Sequence, residues 1–127
     1  MLRIDVVRKD DLGTGNFTRG ITRSRAFDDD MVLASRSRIA AGVASDWHHH
    51  GARRLYGYLV SGRLRFEYGR RGQEGVDLTP GDFFRIPPGL VHRDVNLDKD
   101  REVIVAGFLV GPGPAFVNVS GPEGGDA

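Results

Sequence analysis

The segment GDFFRIPPGLVHRDVN at residues 81–96 says most about the fold of this chain. Proline presets φ and glycine accepts positive φ, so Pro80-Gly81 and Pro88-Gly89 each predict a tight turn. The apolar residues between the two turns predict a strand at 82–87. The second turn directs the chain into a further strand, which carries His92.

A second segment, GVASDWHHH at residues 42–50, holds the other three of the four histidines. Side chains alternate across a strand, so His48 and His50 project to one face and His49 to the other. Two Cβ atoms about 6–7 Å apart along one strand allow both imidazoles to bind one ion at about 2.1 Å. The third ligand must come from a neighbouring strand, and His92 fits that role. This pattern predicts a metal site across a β-barrel, although three successive histidines also occur as ordinary surface sequence.

Two further residues flank the predicted ligands. Trp47 precedes His48 in the chain, and Asn96 follows His92 by four residues. We expect these two side chains to exclude water from the site or to support the ligands around it.

The rest of the chain predicts an all-β fold. Eighteen glycines and six prolines separate short apolar runs, and no stretch keeps a helical period for ten residues. Further strands are expected at 31–40, 55–60, 63–68, 76–79 and 102–110. We expect the strands at 55–60 and 102–110 to be buried on both faces. Many short strands joined by Gly/Pro turns predict a sandwich or a closed barrel.

Length and composition bound the organisation and the function. The 127 residues predict one domain at 1–119 and a disordered tail at 120–127. The net charge is +1 and no basic block occurs, which argues against a nucleic-acid partner. The chain has no cysteine, so it has neither a thiolate ligand nor a cysteine nucleophile. No long apolar run and no signal-peptide pattern is present, so we expect no membrane partner and a cytoplasmic location.

The two histidine segments together resemble the cupin superfamily. One half of the family pattern is glycine, five residues, Pro-x-Gly, two residues, histidine, three residues and asparagine. It is matched at Gly81, Pro87, Gly89, His92 and Asn96. The other half is glycine, five residues, His-x-His, a short spacer, glutamate, six residues and glycine. It is matched, apart from the glutamate, at Gly42, His48, His50 and Gly62.

This resemblance implies a double-stranded β-helix, or jelly-roll barrel, as a single domain with the metal near its wider mouth. It gives the ligand role to His48, His50 and His92, and it implies one divalent transition metal ion such as Fe, Zn, Ni or Mn. It also implies a homodimer, because small cupins commonly pair through their sheets.

The chain departs from the cupin pattern at the glutamate. Counting back from Gly62 places that position at Leu55, or at Arg54 if the spacer is one residue shorter, and no carboxylate occurs between Gly51 and Gly62. Three consequences are open. Three histidines alone hold the ion, or Asp46 or Asp94 replaces the glutamate, or the site has lost most of its affinity.

Four residues after the first histidine segment are candidates for substrate binding. Arg53 and Arg54 would attract an anionic chelating compound if they turn toward the barrel mouth. The alternative is that both lie in an exposed loop and contact only water. Tyr56 and Tyr58 share one strand face, where they line the pocket or belong to the ordinary barrel core.

The leading functional prediction is a metal-dependent enzyme acting on a small, chelating, anionic organic compound. Iron would suit dioxygenation, whereas zinc, nickel or manganese would suit isomerisation, cyclisation or lyase chemistry. No residue is identified as the general base. The alternative is a non-catalytic cupin module that binds a small molecule or a metal.

Overall fold

The computed structural model describes residues 1–124, and this part of the chain forms eleven strands and one short 3₁₀ turn. The strands are β1 (Gly13–Thr14), β2 (Thr22–Asp29), β3 (Val32–Ile39), β4 (His48–His49), β5 (Arg54–Ser61), β6 (Leu64–Tyr68), β7 (Glu74–Leu78), β8 (Phe83–Ile86), β9 (His92–Asn96), β10 (Val103–Val110) and β11 (Val117–Asn118). The 3₁₀ turn spans Arg70–Gly72. None of the described residues belongs to a helix long and apolar enough to cross a membrane.

The strands form two antiparallel sheets. One has the order β1-β2-β3-β10-β5-β8 and the other the order β11-β4-β9-β6-β7. The chain passes from one sheet to the other between β3 and β4, β4 and β5, and β5 and β6, so strands distant in sequence become neighbours. This winding is that of a double-stranded β-helix, and the predicted all-β, single-domain jelly roll is confirmed.

The apolar core lies between the two sheets. Ile39, Leu59, Leu64 and Val103 are completely buried there, on strands of both sheets. In β6, Leu64 and Phe66 point inward, as the alternation of that strand predicts. Truncating such a side chain to alanine costs about 2–5 kcal/mol.

The prediction that β5 and β10 are covered on both faces is wrong. Their outward side chains are open to solvent, since Tyr56 is 42% and Phe108 is 52% exposed. The two strands lie in the middle of the six-stranded sheet, and among the described residues no further layer packs on its outer face. Tyr58, at 37% exposure, shares this face and touches the ring of Phe83, with 4.8 Å between the ring centroids. Tyr56 and Tyr58 are therefore neither in the barrel core nor beside the histidines.

Strand β2 was not expected from the sequence, because its residues TRSRAFDD lack an apolar face. It forms because it pairs with β3 from Thr22–Arg38 to Asp29–Val32, with one register shift between Arg25 and Phe27. This pairing turns the side chain of Arg23 toward the interior, where it is 6% exposed.

The described part of the C-terminal tail forms a turn. The Gly124 N–H donates to the Gly121 carbonyl at 2.9 Å, and the Glu123 carboxylate accepts from the Arg71 N–H at 3.2 Å. Residues 125–127 lie outside the described range, and the disordered tail at 120–127 stays a prediction.

Candidate metal centre

Three histidines come together between the sheets. His48 on β4 lies directly opposite His92 on β9, and His50 follows β4 immediately. The three side chains are buried, and one ring nitrogen of each lies within 4.8 Å of the other two. His49 points the other way, and its Nδ1 accepts a hydrogen bond from the Gly51 N–H. The strand alternation therefore selects the histidines that the spacing predicts.

The protonation of each imidazole is set by a backbone carbonyl. In all three histidines, Nδ1 lies at hydrogen-bond distance from a carbonyl oxygen, which can only accept. The distances are 2.9 Å from His48 to Asp46, 3.0 Å from His50 to Ala115, and 2.9 Å from His92 to Leu90. Each Nδ1 therefore carries the proton and each Nε2 keeps a free lone pair, which is the form that binds a metal.

Burial keeps the same imidazoles neutral. It lowers the pKa of His92, and it lowers the pKa of His48 and of His50 well below the ordinary value of 6.5. The neighbouring rings act in the same direction, because a charged His92 would repel a proton on His48 or His50. All three nitrogens are thus available as ligands at neutral pH.

A carboxylate also faces these nitrogens. The Asp94 Oδ1 atom lies 3.7 Å from His48 Nε2 and 3.6 Å from His92 Nε2. Asp94 is 9% exposed, and burial raises the pKa of its carboxyl, partly offset by His92 and by Arg23. Its Oδ1 and the Nε2 of His50 are two of the buried polar atoms that have no hydrogen-bond partner in the described structure.

Asp46, the other carboxylate considered for the missing glutamate, is placed elsewhere. Its side chain pairs with Arg19 at 2.8 Å on the surface of the protein. Its backbone carbonyl, rather than its carboxylate, contacts His48.

Arg23 is a residue of this site that the sequence analysis missed. Its guanidinium donates to Thr18 Oγ1 at 2.6 Å and stacks 3.8 Å above the ring of Phe116. Burial lowers the pKa of Arg23 to about 10, and Asp94 partly offsets this effect, so the side chain is a cation at neutral pH. Sixteen arginines occur in the chain, and nothing in the sequence distinguishes this one before β2 is known.

The cavity around these residues is small. Its lining includes the three histidines, Asp94, Arg23, Ser35 and Ser37, together with apolar side chains such as Phe66 and Phe84. The free volume is about 20 Å³ for a water-sized sphere, which is room for one ion or one water molecule.

A cleft of about 420 Å³ adjoins this cavity along β6, β7 and β8. Phe66, Phe84 and His92 line both spaces, and the two phenylalanine rings lie 4.9 Å apart. These rings therefore form a wall between the histidine cavity and the cleft.

The structure does not bring the predicted substrate-binding arginines to the histidines. Arg53 is buried, and its Nε donates to the Gly113 carbonyl at 2.8 Å while Nη1 lies 3.4 Å from the Leu109 carbonyl. It fastens the loop after β10, so it is neither an exposed loop residue nor a cavity residue. Arg54 is exposed at the start of β5.

Trp47 and Asn96 also lie away from the imidazoles. The Trp47 ring stacks with the Arg93 guanidinium at 4.9 Å, on the opposite face of the sheet from His92. The Asn96 amide nitrogen lies within hydrogen-bond distance of three backbone carbonyls, those of Ile39, Ala40 and Arg101, so one of its two hydrogens is shared. Asn96 thus ties the end of β9 to two neighbouring segments of backbone, and none of its hydrogen bonds reaches a histidine.

Comparison with known proteins identifies the family. The family model of the cupin domain, Cupin_2, matches residues 35–108, which is more than half of the chain. The chain belongs to the cupin family. Comparison with curated proteins gave no significant match.

Solved structures of other proteins share this fold. One is an uncharacterized conserved protein with a double-stranded β-helix domain from Klebsiella pneumoniae, with TM-score 0.73, 16% identity, and coverage of 91% of this chain and 97% of that one. Another is Peruvianin-I, a cysteine peptidase from Thevetia peruviana latex, with TM-score 0.71, 19% identity, and coverage of 91% and 77%. Oxalate decarboxylase from Bacillus subtilis matches with TM-score 0.67 and 16% identity, over 80% of this chain and 28% of that one. At these identities the likeness concerns the fold.

In this cupin, a leucine occupies the position expected for the glutamate. Leu55 lines the histidine cavity, whereas Arg54 points outward. The part of the wall where the family pattern places a carboxylate is therefore apolar, and the cavity's carboxylate comes from β9 instead.

Proposed function

We propose that this cupin binds one divalent transition metal ion through the Nε2 atoms of His48, His50 and His92. The observation that carries the proposal is the set of three Nδ1 contacts to backbone carbonyls, which leaves three free Nε2 lone pairs close together. Metal-binding histidines are typically oriented in this way by their second ring nitrogen. Burial supports the same role, because neutral imidazole is the binding form.

We further propose that the bound ion serves an enzyme that acts on a small anionic organic compound. The metal would polarise an oxygen atom of that compound or, if it is iron, would supply oxygen chemistry. Arg23, rather than Arg53 or Arg54, is the cation that faces the histidine cavity and would hold the negative group. Oxalate decarboxylase, named for a small acid, is among the proteins that share the fold.

The second candidate is a metal-binding module without catalysis. The observation that favours it is the size of the cavity, which holds about one ion or water and leaves no room for a carboxylic acid. An enzyme would need the Phe66–Phe84 wall to move so that substrate enters from the neighbouring cleft. Retention of metal with no turnover of small carboxylic acids, in air and without oxygen, would favour the module.

The first experiment is elemental analysis of untagged protein purified without chelator. The proposal expects close to one equivalent of iron, zinc, nickel or manganese per chain. Iron would favour dioxygenation, and zinc, nickel or manganese would favour isomerase, cyclase or lyase chemistry. Far less than one equivalent, even after incubation with each metal, would contradict the metal site.

The cytoplasmic location stays a prediction.

A further inference from the structure

We propose that the carboxylate of Asp94 is the fourth protein ligand of this metal ion, replacing the glutamate that the chain lacks. The inference rests on the proposed function, because it requires that His48, His50 and His92 bind a metal. It makes the site one of three histidines and one aspartate, with the carboxylate two residues after the last histidine instead of in the segment before Gly62.

The backbone of β9 places Asp94 for this role. His92 and Asp94 are two residues apart on one strand, so both side chains project into the barrel, where both are buried. The N–H of Asp94 donates to Ser45 Oγ at 2.9 Å, and the Ser45 N–H donates to the Asp94 carbonyl at 2.8 Å. These two hydrogen bonds fix the backbone of Asp94 against the segment that leads into β4, so the starting point of the Asp94 side chain relative to β4 is well defined.

The distances from Asp94 to His48 and to His92 match the spacing of ligands around one ion. Asp94 lies outside the group of three nitrogens that are all within 4.8 Å of one another, so ligation requires its carboxylate to shift toward His50. Two ligand atoms that are each about 2.1 Å from an ion lie about 3.4 Å apart at the tetrahedral angle and about 3.6 Å apart at 120°. The Asp94 Oδ1 atom lies 3.7 Å from His48 Nε2 and 3.6 Å from His92 Nε2. These separations are longer than a hydrogen bond, so the contacts are better explained as two edges of a coordination shell.

The surroundings of Asp94 give its Oδ1 no other partner. This atom is buried and accepts no hydrogen bond from the described residues. A buried carboxylate without a partner is strongly disfavoured, whereas a divalent cation beside it removes the penalty. Arg23 lines the same cavity, but its hydrogen bonds go to Thr18 and to the Asn16 carbonyl.

Cobalt(II) bound to an Asp94→Cys variant tests direct ligation. The chain contains no cysteine, so a thiolate-to-cobalt charge-transfer band in this variant can arise only from position 94. The expected result is such a band in Asp94→Cys and its absence in Asp100→Cys, because Asp100 is exposed and lies away from the histidines. Cobalt bound to Asp94→Cys without the band would overturn the proposal.

Zinc affinity gives a second measurement that does not depend on the cysteine variant. We expect Asp94→Asn to weaken zinc binding by at least about tenfold, the lower end of what the loss of a supporting group around a metal costs. Asp100→Asn, at an exposed aspartate away from the histidines, should leave the zinc affinity unchanged. Tight zinc binding by the wild type together with equal affinity in Asp94→Asn would overturn the role of Asp94 alone. Absence of metal binding by the wild type would overturn the proposed function as well.

Discussion

His48 and His92 lie directly opposite each other in the antiparallel pair of β4 and β9, with 4.4 Å between their ring centroids. Residues so paired have the closest side chains in a sheet, so the register of the two strands brings the imidazoles together before any ion binds. His50 completes the group because its Nδ1 contacts the Ala115 carbonyl, beyond the end of β10. The site is thus assembled from backbone register and one carbonyl contact.

Removal of a proposed ligand should be distinguishable from removal of the one histidine that points away from the cluster. We expect His92→Ala to abolish stoichiometric metal, because it removes an Nε2 atom from the group of three. His49→Ala should retain the metal, since its side chain points away and contacts the Gly51 N–H. Metal content by elemental analysis gives the result. Equal loss in both variants would refute the assignment based on strand alternation.

The stability of the metal-free protein should fall as the medium becomes acidic. The unfolded chain protonates its histidines below about pH 6.5, whereas burial keeps His48, His50 and His92 neutral to lower pH in the folded protein. The unfolded state then binds more protons, so the free energy of unfolding decreases from about pH 6.5 downward. The slope is at most about 1.4 kcal/mol per pH unit for each histidine. Urea denaturation of the chelator-treated protein at several pH values measures it.

Two variants check the origin of this pH dependence. His49→Ala should keep the slope. Asp94→Asn should steepen the slope in the pH range where the titrations of Asp94 and the histidines overlap. The raised pKa of Asp94 keeps its carboxyl protonated in the folded protein at a pH where the unfolded chain has lost that proton, so Asp94 opposes the effect of the histidines in the wild type. A free energy of unfolding that is level between about pH 7 and 5 would contradict the burial argument.

Arg23 should determine the affinity for anions. A hydrogen bond between charged groups contributes about 1.5–3 kcal/mol. If the protein is the proposed enzyme and its Phe66–Phe84 wall opens, Arg23→Ala should weaken the binding of a small carboxylate to the metal-loaded protein by about 10- to 150-fold. Arg25→Ala is the control, since Arg25 is an exposed residue of the same strand. Calorimetric titration gives the affinities. Thermal unfolding is measured in parallel, because Arg23 also packs on Phe116. Unchanged affinity in a folded Arg23→Ala protein would exclude this role.

The contact between Gly57 and Phe84 should be intolerant of any added side chain. The two residues are paired across β5 and β8, and a Cβ atom on Gly57 would lie only 2.1 Å from the Phe84 ring. Displacing that ring from the cavity wall should lower the free energy of unfolding by about 1–3 kcal/mol in Gly57→Ala. Gly107→Ala is the control, because the nearest atom there is a flexible Leu55 methyl group at 3.0 Å. Equal stability in the two variants would mean that the ring moves freely.

The homodimer stays a prediction, and the outer face of β5, β8 and β10 is the surface on which we expect it. Phe83 is 82% and Phe108 is 52% exposed there, and Tyr56 and Tyr58 lie between them. Light scattering should give twice the mass of one chain for the wild type and the mass of one chain for Phe108→Asp. Phe17→Asp, which alters an exposed phenylalanine outside these strands, should remain dimeric. A wild-type monomer would refute the prediction.

The inward-facing histidines could be predicted because alternation in a strand depends only on local sequence. The prediction of His48, His50 and His92 required only one assumption about strand order, namely that the strand of His48 lies beside the strand of His92. Arg23 could not be predicted, since its inward direction depends on pairing of β2 with β3 in a segment without an apolar face. For the carboxylate, the sequence left a choice between Asp46 and Asp94. That choice required the distance from Asp94 to His48, which lies on another strand.

The outward face of β5 was misassigned for a different reason. Its residues Leu55 to Val60 are almost all apolar, so a period of two carries no contrast between inside and outside. Leu55 and Leu59 point inward, and the space above Gly57 is filled by Phe84 from the next strand. The two tyrosines therefore face solvent although neither the composition nor the spacing of the strand indicates it.

The segment after β10 links both ends of the chain to the metal centre. Ala115 orients His50, Phe116 stacks on Arg23, and the Asn118 side chain accepts a hydrogen bond from Thr18. Damage to the C-terminal region would therefore change the geometry of the histidine cluster and the small apolar group of Leu33, Leu109 and Ala115, whereas the larger apolar cluster contains no residue of this segment. Under the proposed function, a protein nicked in this segment keeps most of its strands and loses metal affinity, so metal content is a more sensitive measure of integrity than secondary structure.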